Sequence, residues 1–486
     1  MPAKDVLDKI NPGPFGSQVT NFSAVSKKGI SAADAVGKKD FTNRNSQESS
    51  GNTMFGEGSV GKVRYAGLAY MLQQEGTMDL TQNAAAFFSN EQTGKFLEKK
   101  YPGQGAAMQS EIANLFSGDS AEARLSDLTT HRSGIGDITR DQAKLIEEKG
   151  IEHPYSAADL LLVERDPALV GANGKPKVQT APHLPDAKYG EHQYSNLNYL
   201  LLGLAMEASY DAKKNPTGEK EIKDYKQLTT DYMLHPVEGP ALGKGLSFDQ
   251  TKFSNELTAA DNVAKASWLK GDQFADATQF SGANSAGGMF ASADDSTKFF
   301  GEYFKGFPGM PQAAPNSNPF FSDETIAQMV LEGKRFGNCG INGGGQDASR
   351  KGNERFQMPG AVFEEDKNGN VISYEKGGGT FGYASFLNVT AANGASIDMC
   401  AQENATGEMA KNSGITTEAM MDKYRGDSGE YDRAKMLEGE MPQREISQAV
   451  KDVVAALHDN DASALDDATS PKNLANKSPE TEGRQQ

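Results

Sequence analysis

Directly after Ser59, apolar residues recur at helical spacing: Val63, Ala66, Leu68, Ala69, Met71 and Leu72 make a broad face that ends at Gly76. The period predicts a helix that starts at Ser59 and is stopped by the glycine. Upstream, residues 18–37 alternate loosely around Lys27-Lys28-Gly29, which predicts two short strands joined by a turn, and the polar run from Lys38 to Gly51 reads as loop. Residues 80–350 read mostly as helix and loop. Within them Leu197 to Glu207 is apolar enough for a buried helix, whereas 165–190 and 305–350 carry Pro, Gly and Asn at loop-like density. From Phe356 the pattern becomes one of strands: Val362 to Glu365, Val371 to Glu375, Tyr383 to Thr390 and Ala395 to Gln402. They are separated by Asn368-Gly369 and Asn393-Gly394, dipeptides that hairpin turns favour. Further on, Ile446, Ala449, Val450, Val453, Ala456 and Leu457 predict an amphipathic helix over 443–457. From Asp459 there are no aromatics and almost no large apolar side chains, too little to offset the entropy of ordering, so 459–486 is expected to be a disordered tail.

Strands at both ends with helices between them imply an α+β fold. One antiparallel sheet, built from the N-terminal strands and the late meander and flanked by helices, would carry the helical segment as an inserted lobe. The expected organisation is a flexible leader over 1–17, one large domain over 18–425 and a C-terminal extension over 426–486. The sheet lobe would come from 18–80 and 356–425, the helical lobe from 81–355. A site between the lobes follows.

Charge and composition narrow the partners. Over 486 residues, 49 basic side chains stand against 66 acidic ones, a formal charge of −17 that repels a nucleic-acid backbone or an anionic leaflet. The N-terminal MPAKDVLDKINPGPFG has no apolar h-region, and the most apolar run, Tyr199 to Met206, is of core-helix length, so neither a signal peptide nor a membrane span is expected. That profile suits a cytoplasmic protein or one exported without an N-terminal signal. Cys339 and Cys400 make no disulfide framework and read as packed free thiols. The histidines, His183, His192 and His235 among them, lack metal-ligand spacing.

Two chemistries compete for Gly56-Glu57-Gly58-Ser59-Val60-Gly61-Lys62-Val63. As an S-x-x-K pair at a helix start, Ser59 and Lys62 share one face, and the amine can take the hydroxyl proton if burial or a neighbouring cation keeps it neutral part of the time. The Ser59 amide can then donate to an oxyanion. As a phosphate-binding loop, Gly56-x-x-x-x-Gly61-Lys62 fails at Val63, where Ser or Thr should bind magnesium, and Asn52-Thr53-Met54-Phe55 is a poor strand to launch it. Each later element is also ambiguous alone. Tyr194-Ser195-Asn196, just before the buried helix, offers a tyrosine that can move protons if cations lower its pKa, or a packing aromatic and an N-cap. Lys376-Gly377-Gly378-Gly379, at the end of the strand Val371 to Glu375, offers a cation beside bare backbone, with Gly379 as a second oxyanion donor, or a glycine-rich strand end. His131, two residues before Ser133, lacks a G-x-S-x-G elbow and reads as a structural hydrogen-bonding residue.

Together and in this order, the three elements resemble the serine β-lactamases and penicillin-binding proteins, most closely their class C β-lactamase, DD-peptidase and esterase branch. Weaker likenesses fill the intervals. Asn52 to Lys62 resembles that family's approach to the nucleophile, and Gly76-Thr77-Met78-Asp79-Leu80 the segment closing the first helix. Leu125 to Gly134 is similar to its "LLTHTSG" segment, Tyr194 to Glu207 to "YSN…LLG…E", and Ala286 to Asp295 to "GGL-S-A-D". The likeness spans about residues 18 to 420. It implies a serine hydrolase acting through an acyl-enzyme on ester or amide substrates, peptide or β-lactam-like, with no metal or organic cofactor. Ser59 would be the nucleophile, Lys62 and Tyr194 the proton-transfer groups, Lys376 the cation of the third motif and Asn196 a polar contact to substrate. Gly378 and Gly379 would line the substrate and oxyanion side. Where β-lactamases have K-T-G this chain has Lys376-Gly377-Gly378, so the hydroxyl that helps hold a substrate carboxylate is missing at Gly377. The competing expectation is a catalytically silent binding or assembly protein that associates with itself or a partner through 426–486.

Overall fold

The computed structural model describes residues 46–137, 152–163, 188–240, 243–265, 284–310, 313–339 and 353–380, the strands at 19–25, 31–37, 267–270, 273–276, 383–390 and 395–402, and a few single residues between them. The leader, both turns at Lys27-Lys28-Gly29 and Asn393-Gly394, most of 165–190, His183, the helix expected at 443–457 and the tail lie outside the described residues. In chain order the strands are β1 (Val19–Val25), β2 (Ser31–Gly37), β3 (Met54–Gly56), β4 (Thr251–Phe253), β5 (Ser267–Lys270), β6 (Gln273–Asp276) and β7 (Met289–Ser292). The late set is β8 (Glu354–Gln357), β9 (Val362–Glu365), β10 (Val371–Thr380), β11 (Tyr383–Thr390) and β12 (Ala395–Gln402).

Seven of them make one sheet in the order β2-β1-β12-β11-β10-β9-β8, every neighbour antiparallel. The first and last strands of the described residues pair as β1 and β12, from Val19↔Gln402 to Val25↔Ser396. This is the α+β arrangement expected from strands at both ends. β10 does not end at Glu375. Its pairing with β11 continues from Lys376↔Leu387 to Thr380↔Tyr383, because glycine keeps its backbone hydrogen-bonding groups whatever it lacks in side chain. β9 pairs only as far as Glu375, so among the described residues Lys376 to Thr380 has a strand on one side alone.

Three helices frame the site: α1 (Gly61–Gln74), α2 (Asn196–Lys214) and α3 (Ala293–Tyr303). α1 is buried on every side from Gly61 to Leu72 and is therefore a central helix, not the one-faced helix its apolar stripe suggested. α2 is buried from Leu197 to Tyr210. α3 packs on β1 and β12, and its Phe299, Phe300 and Tyr303 continue through Phe304 and Phe307 to Tyr374 of β10, with Phe304 and Tyr374 stacked at 4.8 Å. Such pairs add about 0.5–1.5 kcal/mol each beyond the area they bury.

Two features depart from the sequence pattern. In a three-stranded sheet, β3-β7-β4, the strands β4 and β7 lie in a region expected to be helix and loop, and β3 is a fully buried strand even though its sequence looked a poor one. Strands of three or four residues are too short for alternation to be visible. In the supposed loop at 305–350, Asp323–Lys334 is a helix: Ser322 caps it, Asp323 and Glu324 fill its first turn, and Ile326 and Met329 are buried.

Candidate active site

The small sheet leads into the turn that carries Ser59. Glu57 N–H donates to Met289 O at 2.9 Å, extending the β3–β7 ladder by one rung, and the chain then enters a 3-10 turn, Gly58–Val60, that runs into α1. Ser59 in that turn and Lys62 in the first turn of α1 are three residues apart and share one face, with Lys62 Nζ 2.9 Å from Ser59 Oγ. Below the turn Glu57 and Arg64 form a fully buried ion pair, with Ser296 Oγ donating to the other Glu57 oxygen at 2.9 Å. The Arg64 guanidinium also lies against the Phe299 and Phe300 rings, 4.4 and 4.6 Å from their centroids.

The turn and β10 approach backbone to backbone. A Cβ on Gly58, whose φ is +51°, would stand 2.6 Å from Gly379 N. One on Gly378 would fall on the Glu57 carbonyl oxygen and the Ser385 hydroxyl. The Gly379 amide is thereby brought beside the turn that carries Ser59, while Gly378 is the buried face of that contact.

Three acceptors surround the Lys62 amine: Ser59 Oγ, Asn196 Oδ1 at 2.8 Å, and the Ala286 carbonyl oxygen. Asn196 is the first residue of α2, and Ala286 ends the segment Asn284–Ala286 that leads into β7. Tyr194 is 37% exposed, yet its hydroxyl lies 2.5 Å from Ser59 Oγ and donates to Asn196 Oδ1 at 3.3 Å. Lys376 Nζ sits over the face of the Tyr194 ring, 4.8 Å from its centroid. The structure therefore brings Ser59, Lys62, Tyr194, Asn196, Lys376 and the Gly378-Gly379 backbone to one place, from the two helix starts and the sheet.

Burial governs the electrostatics. It pushes Lys62 well below an ordinary lysine, the charge of Lys376 pushes the same way, and Asp137 pulls partly back. Burial also brings Lys376 down to about 8. Tyr194 moves opposite to what neighbouring cations alone would do: although its side chain is part-exposed, desolvation of the hydroxyl beside Ser59 raises it and outweighs the Ser59 hydrogen bond, so the phenol stays neutral. His131, at φ 57°, accepts from Ser195 N–H through Nδ1 at 3.3 Å and lies 4.4 Å from the Tyr194 ring, centroid to centroid. Burial and then the Lys376 charge hold it neutral, as a prop behind Tyr194.

Sequence reasoning missed two groups that hold the cluster. The Ala286 carbonyl is main chain and has no sequence signal. Asp137 accepts from Asn196 N–H at 2.8 Å and from its side-chain Nδ2 at 3.4 Å, across 59 residues of chain, and nothing local marks it. Cys339 is a free, half-buried thiol away from these groups. Among the described residues no set of His, Cys, Asp and Glu could hold a metal, and no helix is long and apolar enough to cross a membrane. A cavity of about 300 Å³ lies behind α2, lined by Tyr101, Tyr155, Leu200, Leu204, Glu207 and Phe253 among others; none of the Ser59 cluster lines it.

An antiparallel sheet that joins early and late strands of the chain, helices inserted between, and a Ser–Lys–Tyr cluster where they meet define the β-lactamase/transpeptidase-like class. The chain belongs to the beta-lactamase family, whose profile matches residues 20–397. No curated protein matches it in sequence. Among solved structures it is similar to an octameric penicillin-binding protein homologue from Pyrococcus abyssi (TM-score 0.54, 16% identity, 87% of this chain and 80% of that one). It is also similar to a penicillin-binding protein from Bacillus halodurans (0.51, 14%, 85% and 99%) and a D-stereospecific amidohydrolase from Streptomyces (0.50, 16%, 82% and 94%). At these identities the likeness is one of fold.

Proposed function

We propose that the chain is a serine hydrolase that acylates Ser59 and releases the acyl group to water. The observation that carries this reading is the set of acceptors around Lys62 Nζ. A neutral amine has two hydrogens and one lone pair. Asn196 Oδ1 and Ala286 O have no hydrogen to give in return, so they take the two N–H bonds and leave the lone pair aimed at the Ser59 hydroxyl. Lys62 then accepts the Ser59 proton as Oγ bonds to the substrate carbonyl carbon, and the Ser59 and Gly379 amides face the oxyanion. Neutral Tyr194, 2.5 Å from Ser59 Oγ, gives its proton to the leaving group, and the proton that Lys62 took from Ser59 then passes from the ammonium to the phenolate, leaving both groups neutral. Water completes the cycle by the reverse relay.

Esters and peptide-type amides fit this site better than β-lactams. Lys376 supplies a cation, but Gly377 supplies no hydroxyl to hold a carboxylate beside it. The one-sided edge of β10 offers main-chain pairing to an extended acyl group. The fold likeness to a D-stereospecific amidohydrolase is in keeping with an amide.

The test is intact-mass analysis after exposure to a fluorophosphonate. A single adduct on the wild-type chain and none on Ser59→Ala is expected. An unmodified wild type, or equal modification of both, would rule the reading out.

A further inference from the structure

An asparagine side chain presents an oxygen on one side and an NH2 on the other, and only one of its two orientations serves Lys62. With Oδ1 inward it accepts from Lys62 Nζ at 2.8 Å and from Tyr194 OH at 3.3 Å. Turned over, it would put a donor against the amine, and the lone pair of neutral Lys62 would turn toward that NH2 and away from Ser59. Nothing in the Asn196 backbone chooses between the two. The choice is made outside, where the Asp137 carboxylate takes the main-chain N–H with one oxygen at 2.8 Å and faces Nδ2 with the other at 3.4 Å. A carboxylate only accepts, so it holds the NH2 outward and the oxygen inward.

We propose that Asp137 is a positioning residue for acylation, acting through Asn196 to keep the amide oxygen on Lys62 and Tyr194. The proposal rests on the acyl-enzyme reading above. A purely structural role is the competing account: Ser195 makes no side-chain cap bond, so Asp137 also satisfies an N–H in the first turn of α2. The two accounts differ in what depends on Asn196. A cap supports the helix whatever side chain residue 196 carries, whereas an orienting contact loses its purpose once the Asn196 amide is gone.

A second consequence is electrostatic. The groups facing Lys62 are Lys376 from β10, the Tyr194 and Tyr199 rings at 5.2 and 5.4 Å, neutral His131, and Asp137. Asp137 is the member of this set that raises the Lys62 pKa. Removing it lets that pKa fall further, so the acid limb of the acylation profile moves to lower pH even as the plateau rate drops. That shift follows from losing the carboxylate charge under either account, so it is the dependence on Asn196 that separates them.

The experiment is a double-mutant cycle on the rate of fluorophosphonate labelling, with Asp137→Ala, Asn196→Ala and the double variant, alongside thermal melting of each. Asp137→Ala is expected to slow Ser59 labelling on the order of tenfold in the wild-type background and by less than about twofold in the Asn196→Ala background. Equal slowing in both backgrounds, or a fall in melting temperature with an unchanged rate, would overturn the proposal. A wild type that does not label would instead remove the acyl-enzyme reading, and this inference with it. Should Asp137→Ala fail to fold, Asp137→Asn keeps an acceptor for the Asn196 N–H but sets an NH2 against Nδ2. Because that NH2 favours the turned-over amide, Asp137→Asn should slow labelling at least as much as alanine does, again only while Asn196 is present, and a wild-type rate for it would count against the assignment.

Discussion

Two buried amines with opposite requirements share the Ser59 cluster. In the proposed reaction Lys62 acts as a base only when neutral, and Lys376 acts as a cation only when charged. Burial lowers both, and the charge of Lys376 lowers Lys62 further, which favours loss of the Lys62 proton while Lys376 keeps its own. Acylation should rise with pH as Lys62 deprotonates. For substrates with an anionic group near Lys376 it should fall again as pH passes about 8, where that lysine becomes neutral. Replacing Lys376 by Gln removes a like charge from beside Lys62. The Lys62 pKa then rises, the acid limb moves to higher pH, and the upper limb disappears. Lys62→Ala should cost on the order of 10²–10⁴ in acylation rate across the profile, as expected for losing a general base. Rates of labelling and of p-nitrophenyl ester cleavage between pH 5 and about 10 check the whole set, because that range spans the shifts named here. An acid limb that stays in place in Lys376→Gln would mean that the two amines do not feel each other.

At the scale of elements, the site is a contact between a turn and a strand, and glycine makes that contact close. The Gly378 Cα faces the Glu57 carbonyl and Ser385, and a methyl group there has no room. Gly378→Ala should therefore push the turn that carries Ser59 away from β10. It should lower stability by about 1–3 kcal/mol, the usual cost of overpacking, and slow Ser59 labelling more than the stability loss explains, since the Gly379 amide recedes together with the strand. Thermal melting with labelling at a temperature where the variant is fully folded separates the two effects. The same contact explains what could be read beforehand. Ser59, Lys62, Tyr194 and Lys376 could be named because their chemistry belongs to the side chains and because their order along the chain is distinctive. Gly378 could be noticed but not understood, since its partner is a carbonyl oxygen more than three hundred residues away in sequence. Asp137 and the Ala286 carbonyl were invisible for a similar reason: one is an ordinary aspartate until α2 is folded against it, and the other is main chain.

Across the whole molecule, the order of elements along the chain determines more than any local pattern. The meander from β9 to β12 and the strands at the N-terminus could each be read from alternation and turn dipeptides. The need to bury a common face joined them into one sheet. What could not be read was the small β3-β7-β4 sheet, whose strands of three and four residues are too short to show a period yet deliver both Ser59 and Ala286 to the site. The helix Asp323–Lys334 was masked by the Pro, Gly and Asn that flank it, although its Ser322 cap and acidic first turn were there to be seen. The joining of early and late strands in the main sheet has its own consequence. β1 covers β12 along its whole length, Val19 to Val25 against Gln402 to Ser396, and α3 packs across the pair. Deleting residues 1–37 removes β1 and β2 together and turns β12 from an inner strand into an unprotected edge, a template for pairing with other chains. The truncated protein should therefore aggregate, and it should lose Ser59 labelling even though every residue of the cluster is still present. Light scattering and labelling of the soluble fraction test this. A monomeric truncation that labels at the wild-type rate would show that the helical lobe and the remaining five strands hold the site without the N-terminal pair.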